Sequence, residues 1–215
     1  MATQQSPPVQ SVPVGARVVN PRPETAEKRQ RILEAAMAIF GTKGYSNGSL
    51  LEIGEQAGMS HAGVVHHFGS KDQLLVAMLE YRDSSDLDHL DGQHLPDGSA
   101  LFRHLVETTR VNLQRPGVVQ AYTVLSADSV TDGHPAQSFF RERFVGLRQI
   151  LTRALREVAP ADTDEFRLSQ AASTIIGAMD GLQVQWLLDP EAINMPQAVE
   201  AVIESMIAWL NGTAS

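Results

Sequence analysis

The chain has 215 residues, 43% of them hydrophobic and 20% charged, with no cysteine and a formal net charge of −8. The apolar fraction suits a protein that buries a core, and the missing cysteine excludes disulfides, thiolate metal sites and thiol nucleophiles. No apolar run reaches the roughly 18 residues that span a bilayer, and the first residues lack the basic start and apolar stretch of a secretory signal, so a cytoplasmic protein is expected.

Residues 1 to about 23 hold five of the chain's 11 prolines and show no helical period. They predict a disordered arm, in which Arg17 and Arg22 suit a solvated tail or a DNA minor groove. Ile32, Ala35, Ala36, Ile39 and Phe40 then recur at one helical face. Thr25 is expected to cap that helix and Gly41 or Gly44 to end it. Ser49 and Glu52 form a capping-box pattern that opens a short helix with Leu50, Ile53 and Ala57 inside, stopped by Gly58. Ser60 is placed to cap a third helix running to about Phe68. Ser70 and Gln73 repeat the capping pattern and open a longer helix through Leu74, Leu75, Met78, Leu79 and Arg82.

Residues 84–99 are polar, acidic and broken by Gly and Pro, which predicts a loop or a frayed helix end. Further helices are expected over about 99–114, from Pro116 to Ala127, over 135–158, over 163–188 with Asp162 or Thr163 as cap, and over 196–210 from Pro196. No run shows the alternation of a strand. The fold class is therefore all-α: a three-helix helix-turn-helix head (24–71) after the arm (1–23), then a larger helical body (72–215).

The strongest signal is residues 49–68, SLLEIGEQAGMSHAGVVHHF. Two short helices meet at a tight Ala57-Gly58-Met59 turn, where glycine enters the left-handed region without steric cost. That is helix-turn-helix spacing, in which the second helix enters the major groove of double-stranded DNA. Val64 and Phe68 are its inner face, against Ile53, Ala57 and Phe40. His61, Ala62, Gly63, Val65 and His66 remain outward, small or hydrogen-bonding as a base-reading surface requires, and Val65 suits a thymine methyl. Charge agrees. Residues 1–71 carry seven Lys/Arg against five Glu, none of the acids after residue 55, while residues 72–215 carry 10 Lys/Arg against 20 Asp/Glu. The helix N-termini at Ser49 and Ser60 and the amine of Lys71 all favour phosphate.

With RILEAAMAIFGTKGY (31–45) before it and GSKDQLL (69–75) after it, this stretch resembles the TetR family of bacterial transcriptional regulators over about 50 residues. The resemblance implies base reading from His61, Ala62 and Gly63, and phosphate contacts at Arg29, Ser49, His67 and Lys71. The family usually has Tyr, a phosphate donor, where this chain has Val65. The resemblance further implies a repressor acting as a homodimer on a palindromic operator, released by a small molecule bound in the body. An activating or architectural regulator without an effector is the alternative.

Two long helices near the C-terminus are apolar on one face, and their pairing across a dimer is expected to use Ala171, Ile175, Gly181, Val202, Met206 and Leu210. An effector pocket needs apolar walls with a few polar groups. The candidates are Phe102, Leu105, Val106, Thr109, Val119, Tyr122, Thr123, Met179, Gln183 and Trp186, with Asp180 and Arg110 as further polar groups. These walls suit a hydrophobic compound with one or two polar groups. Arg141, Glu142 and Arg143 read as a solvated face between Phe140 and Phe144. No nucleophile elbow or phosphate loop points to an enzyme, and no cofactor is implied. Asp86, Asp88, His89, Asp91 and His94 hold metal-type ligands without the spacing of a zinc or calcium site, so no metal is expected.

Overall fold

The computed structural model of the chain describes residues 23–85 and 96–212, all of them helix or connecting turn. The N-terminal arm with Arg17 and Arg22, and the acidic cluster from Asp86 to His94, lie outside the described residues. Among the described residues nine helices follow in order: α1 (Pro23–Asn47), α2 (Leu50–Ala57), α3 (His61–Phe68), α4 (Lys71–Ser85), α5 (Ser99–Leu113), α6 (Pro116–Asp128), α7 (Gln137–Val158), α8 (Glu165–Leu188) and α9 (Met195–Leu210). No described helix is long and apolar enough to cross a membrane.

Local chemistry sets the helix ends. Ser49 caps α2 with both halves of the capping box formed, and Gly58 ends it at φ 68°. The Ser60 hydroxyl accepts from the Gly63 amide at 3.1 Å, and Ser70 does the same for Gln73 at 3.1 Å. Two expected boundaries move, and of the two glycines offered as the break in α1 one is used. α1 starts at Pro23, leaving Thr25 inside it, because proline is well suited to a first turn whose N–H groups have no partner. Gly41 stays helical, and the break falls at Gly44, with φ 71°. α8 is capped by Asp164, whose carboxylate accepts from the Arg167 amide, rather than by Asp162 or Thr163.

The head is not a free-standing unit. Its core of Ile32, Ala36, Phe40, Ile53, Val64 and Phe68 runs without a gap into Leu75 and Leu79 of α4, Ala121 and Leu125 of α6 and Phe140 of α7. The helices α1 and α6 cross so closely that a Cβ on Gly41 would lie 2.9 Å from the Ala121 Cα. A second core joins α5, α7, α8 and α9 around Leu101, Leu155, Leu168, Ile175, Val199 and Ile203.

Candidate nucleic-acid interface and cavity

The turn between α2 and α3 presents α3 as a short helix anchored by two side chains. Val64 and Phe68 are buried, while His61, Ala62 and His66 are exposed and Gly63 and Val65 are half-buried. The expected inner and outer faces are thus the observed ones. Gly63 has ordinary helical geometry, and a Cβ there would touch Ser60 Oγ at 3.4 Å and Met59 Cε at 3.5 Å, which is normal contact. The fold does not require a glycine here, and glycine costs a helix about 0.5–1 kcal/mol relative to alanine. Gly63→Ala is therefore expected to raise thermal stability while weakening operator binding. A stabilised variant with undiminished operator affinity would show that this position never meets the groove.

The residues expected to hold phosphate are more committed than the sequence suggests. Arg29 donates from Nη1 to the His67 carbonyl at 2.8 Å and stacks 4.0 Å over the Phe68 ring, so it first closes the end of α3. The Ser49 hydroxyl accepts from the Glu52 amide and donates to the Glu52 carboxylate at 2.9 Å. That carboxylate also takes the Ser49 N–H and pairs with Lys43 at 2.5 Å. In the free chain the positive end of α2 is thus capped by Glu52, and Ser49 would meet a phosphate with its hydroxyl already engaged. Glu52 is held below the usual carboxylate range, by Lys43 first and then by Ser49. Ser60 is exposed and keeps its hydroxyl proton for an acceptor. Burial, followed by the charges of His66, Arg29 and Lys28, holds the His67 pKa below its ordinary value, so the ring is a neutral hydrogen-bonding group near neutral pH.

Lys71 folds back in the free chain. Its Nζ donates to the Ser46 carbonyl at 3.3 Å and lies 4.4 Å over the Tyr45 ring. The Tyr45 hydroxyl donates to Asp72, its ring meets His134 edge-on at 5.1 Å, and its amide donates to Asp128 at 3.4 Å. The end of α1, the start of α4 and the turn between α6 and α7 therefore meet at one point beside Lys71.

In the body, a cavity of about 530 Å³ lies between α4, α5, α6, α7 and α8. Leu105, Tyr122, Met179 and Gln183 line it, as expected. The other candidates do not. Phe102 and Val106 line an open groove between α5 and α9. The Thr109 hydroxyl is turned into its own helix, donating to the Val106 carbonyl at 2.6 Å. Val119 and Trp186 pack with Met195 in a separate cluster, and Thr123 is not among the residues that line this cavity. Arg110 pairs with Glu107 on the surface at 2.9 Å rather than facing Asp180.

The sequence reading missed the cavity's α4 and α7 walls. Phe139, Arg143, Leu147 and Ile150 recur at one face of α7 and all line it. Arg143 is not part of a solvated face: it donates to the Tyr122 hydroxyl at 3.0 Å and pairs with Asp83. Arg82, buried, pairs with Asp83 at 3.1 Å and stacks 4.4 Å over Tyr122. The signal available was an arginine in register with Phe139 and Leu147. Three of the expected dimer residues are corrected too, because Ala171, Ile175 and Leu210 are spent in the chain's own core. Gly181 is exposed, and Val202 and Met206 are half-buried. The outward face of α8 carries Gly177, Gly181, Val184 and Leu188 instead.

Known proteins share this arrangement. The profile of bacterial regulatory proteins of the tetR family matches residues 32–78, and that of the C-terminal part of BetI-type transcriptional repressors matches residues 101–210. The transcriptional regulator TtgR of Pseudomonas putida is 25% identical, over 87% of this chain and 93% of its own. The regulator AcrR of Shigella flexneri is 26% identical, over 80% and 84%. A transcriptional regulator from Pseudomonas aeruginosa PAO1 has the same fold, with a TM-score of 0.72 at 22% identity, over 93% of this chain and 96% of its own. SmeT, solved in complex with triclosan, aligns at a TM-score of 0.65 and 18% identity, over 85% and 90%. The chain belongs to the TetR family and is a DNA-binding transcriptional regulator.

Proposed function

We propose that the protein is a homodimeric repressor that leaves its operator when a small molecule enters the body cavity. One observation carries this reading. The helix α4 begins at Lys71, beside the DNA-facing head, and ends with Arg82 and Asp83 in the cavity wall. A ligand that shifts one end of a rigid helix shifts the other, and its differential affinity for two head spacings is the coupling energy. Two heads on one face of DNA read half-sites about 10 bp apart or somewhat more. The outward faces of α8 and α9 suit the dimer, since added Cβ atoms on Gly177 and Gly181 would meet nothing within 4 Å and a second copy can approach closely there. Triclosan in SmeT is the kind of compound, hydrophobic with a polar group, that such a cavity suits.

The test is selection of bound sequences from a random duplex pool with the purified protein, followed by titration of a compound library against the enriched site. An inverted repeat is expected. Lys71→Ala should weaken binding to operator and random DNA alike and lower the salt slope by about one. His61→Ala should cost about 1–3 kcal/mol at one base position and relax preference there. Equal losses on operator and random DNA for His61→Ala would sink the base-reading role.

A further inference from the structure

Inside the cavity Asp83 and Asp180 stand with Arg82 and Arg143, and the exposed Glu80 and Glu142 make its mouth acidic. Both guanidinium groups are bound to Asp83 and packed on Tyr122, at 4.4 Å and 5.2 Å from its ring centre. The two cations are thus already held by protein groups. Asp180, from the α8 wall, is half-buried; Arg143 and Arg82 act on its charge, but both are hydrogen-bonded to Asp83 instead. It stands beside Met179 and Ile176, with Leu105 and Leu147 on other walls. Partial desolvation of a carboxylate is costly, and the cost is recovered when a charged donor arrives.

Building on the effector reading of this cavity, we propose that its ligand is an amphipathic cation, a hydrophobic body bearing one protonated nitrogen, and that Asp180 is the carboxylate that anchors that nitrogen. A charge-assisted hydrogen bond out of water is the strongest contact such a wall can offer. An anion would have to displace Asp83 from both arginines and come to rest beside Asp180. The charged and titratable groups that share the cavity with Asp180 are Arg82, Asp83 and Glu80 from α4, His104 from α5, Tyr122 from α6, and Arg143 and Glu142 from α7. Burial pushes the Asp180 carboxyl up to about 6, against the pull of Arg143 and then Arg82. A bound cation favours the ionised form, so its affinity falls as pH drops through that value.

The experiment is calorimetric titration of the full chain with three compounds on one carbon skeleton: diphenylpropylamine, diphenylpropanol and diphenylpropionate. The amine is expected to bind about tenfold more tightly than the other two. In Asp180→Asn that preference should vanish while the alcohol's affinity stays within about twofold. The amine's loss of affinity between about pH 7.5 and about pH 5 should vanish in the same variant. If the carboxylate binds best, or the amine's pH dependence survives in Asp180→Asn, the cation assignment is overturned and the cavity's effector role stands. If Asp180→Asn loses amine and alcohol alike, Asp180 is a structural residue and the proposal fails. If none of the three binds, the cation proposal is overturned, and the library titration against the operator decides separately whether the cavity takes an effector at all.

Discussion

Phe40→Ala is expected to destabilise the head and the body together, at a cost of about 3–5 kcal/mol. Phe40 is fully buried among Ile32, Ile53 and Val64. Its ring meets Tyr45 at 5.7 Å, and a Cβ on Gly48 would strike its Cδ1 at 2.8 Å. The surrounding helices are fixed by capping boxes and a tight turn, so the cavity left by the ring cannot collapse. Against a total stability of about 5–15 kcal/mol, the loss is large. α3 is anchored by Val64 and Phe68 and closed by Arg29, so operator binding should be lost together with far-ultraviolet helicity. The core runs unbroken from α1 into α4, α6 and α7, so urea titration should show one transition, shifted to lower denaturant, by both fluorescence and circular dichroism. A head that melts separately, with the body transition unmoved, would refute the continuous core.

The head was the legible part of this chain because its determinants are local. Ser49 with Glu52, Ser60 and Gly58 each act within four residues, and the structure uses them as the sequence suggests. Where several residues suit one role, the sequence does not choose: Asp162, Thr163 and Asp164 can all cap a helix, and the third does. The local pattern at Ser49 did not reveal that Glu52, its capping partner, also draws in Lys43 from another helix.

The body was less legible, for a physical reason. The helix α8 carries apolar and small residues on nearly every side, so its period alone cannot separate a core-facing stripe from a dimer-facing one. Ala171 and Ile175 turn inward, while Gly177 and Gly181 turn outward. The cavity depended on how α5 is rotated: Leu105, Thr108 and Asn112 line it, whereas Thr109, one position away, is buried against its own helix. Arg143 was hidden by composition. In FFRERF it sits among charged neighbours, and only the packing of α7 against α4 and α6 takes it out of water.

The remaining large effect is expected at the crossing of α1 and α6. Gly41→Val is expected to lower stability by about 1–3 kcal/mol, because its branched side chain must displace the Ala121 backbone. The functional consequence reaches further. Ala121 and Tyr122 are neighbours on α6: the first lies against Gly41 of the head, and the second lines the cavity and binds Arg143. A ligand seated against Tyr122 that shifts this wall should move α6, and α6 bears directly on α1. The second route into the head is α4, through Arg82 and Asp83. Coupling between distant sites is typically worth about 1–3 kcal/mol, or about 5–150-fold in affinity. Prying α1 from α6 should remove much of that factor, so that saturating effector no longer releases the operator. Ala121→Gly is the gentler companion: it relieves the same contact without adding bulk, and should weaken the response while operator affinity without effector is retained. Operator affinity measured with and without effector, on wild type and both variants, decides the matter. If Ala121→Gly keeps the full effector response, the signal runs through α4, and the α1–α6 crossing serves only to dock the head.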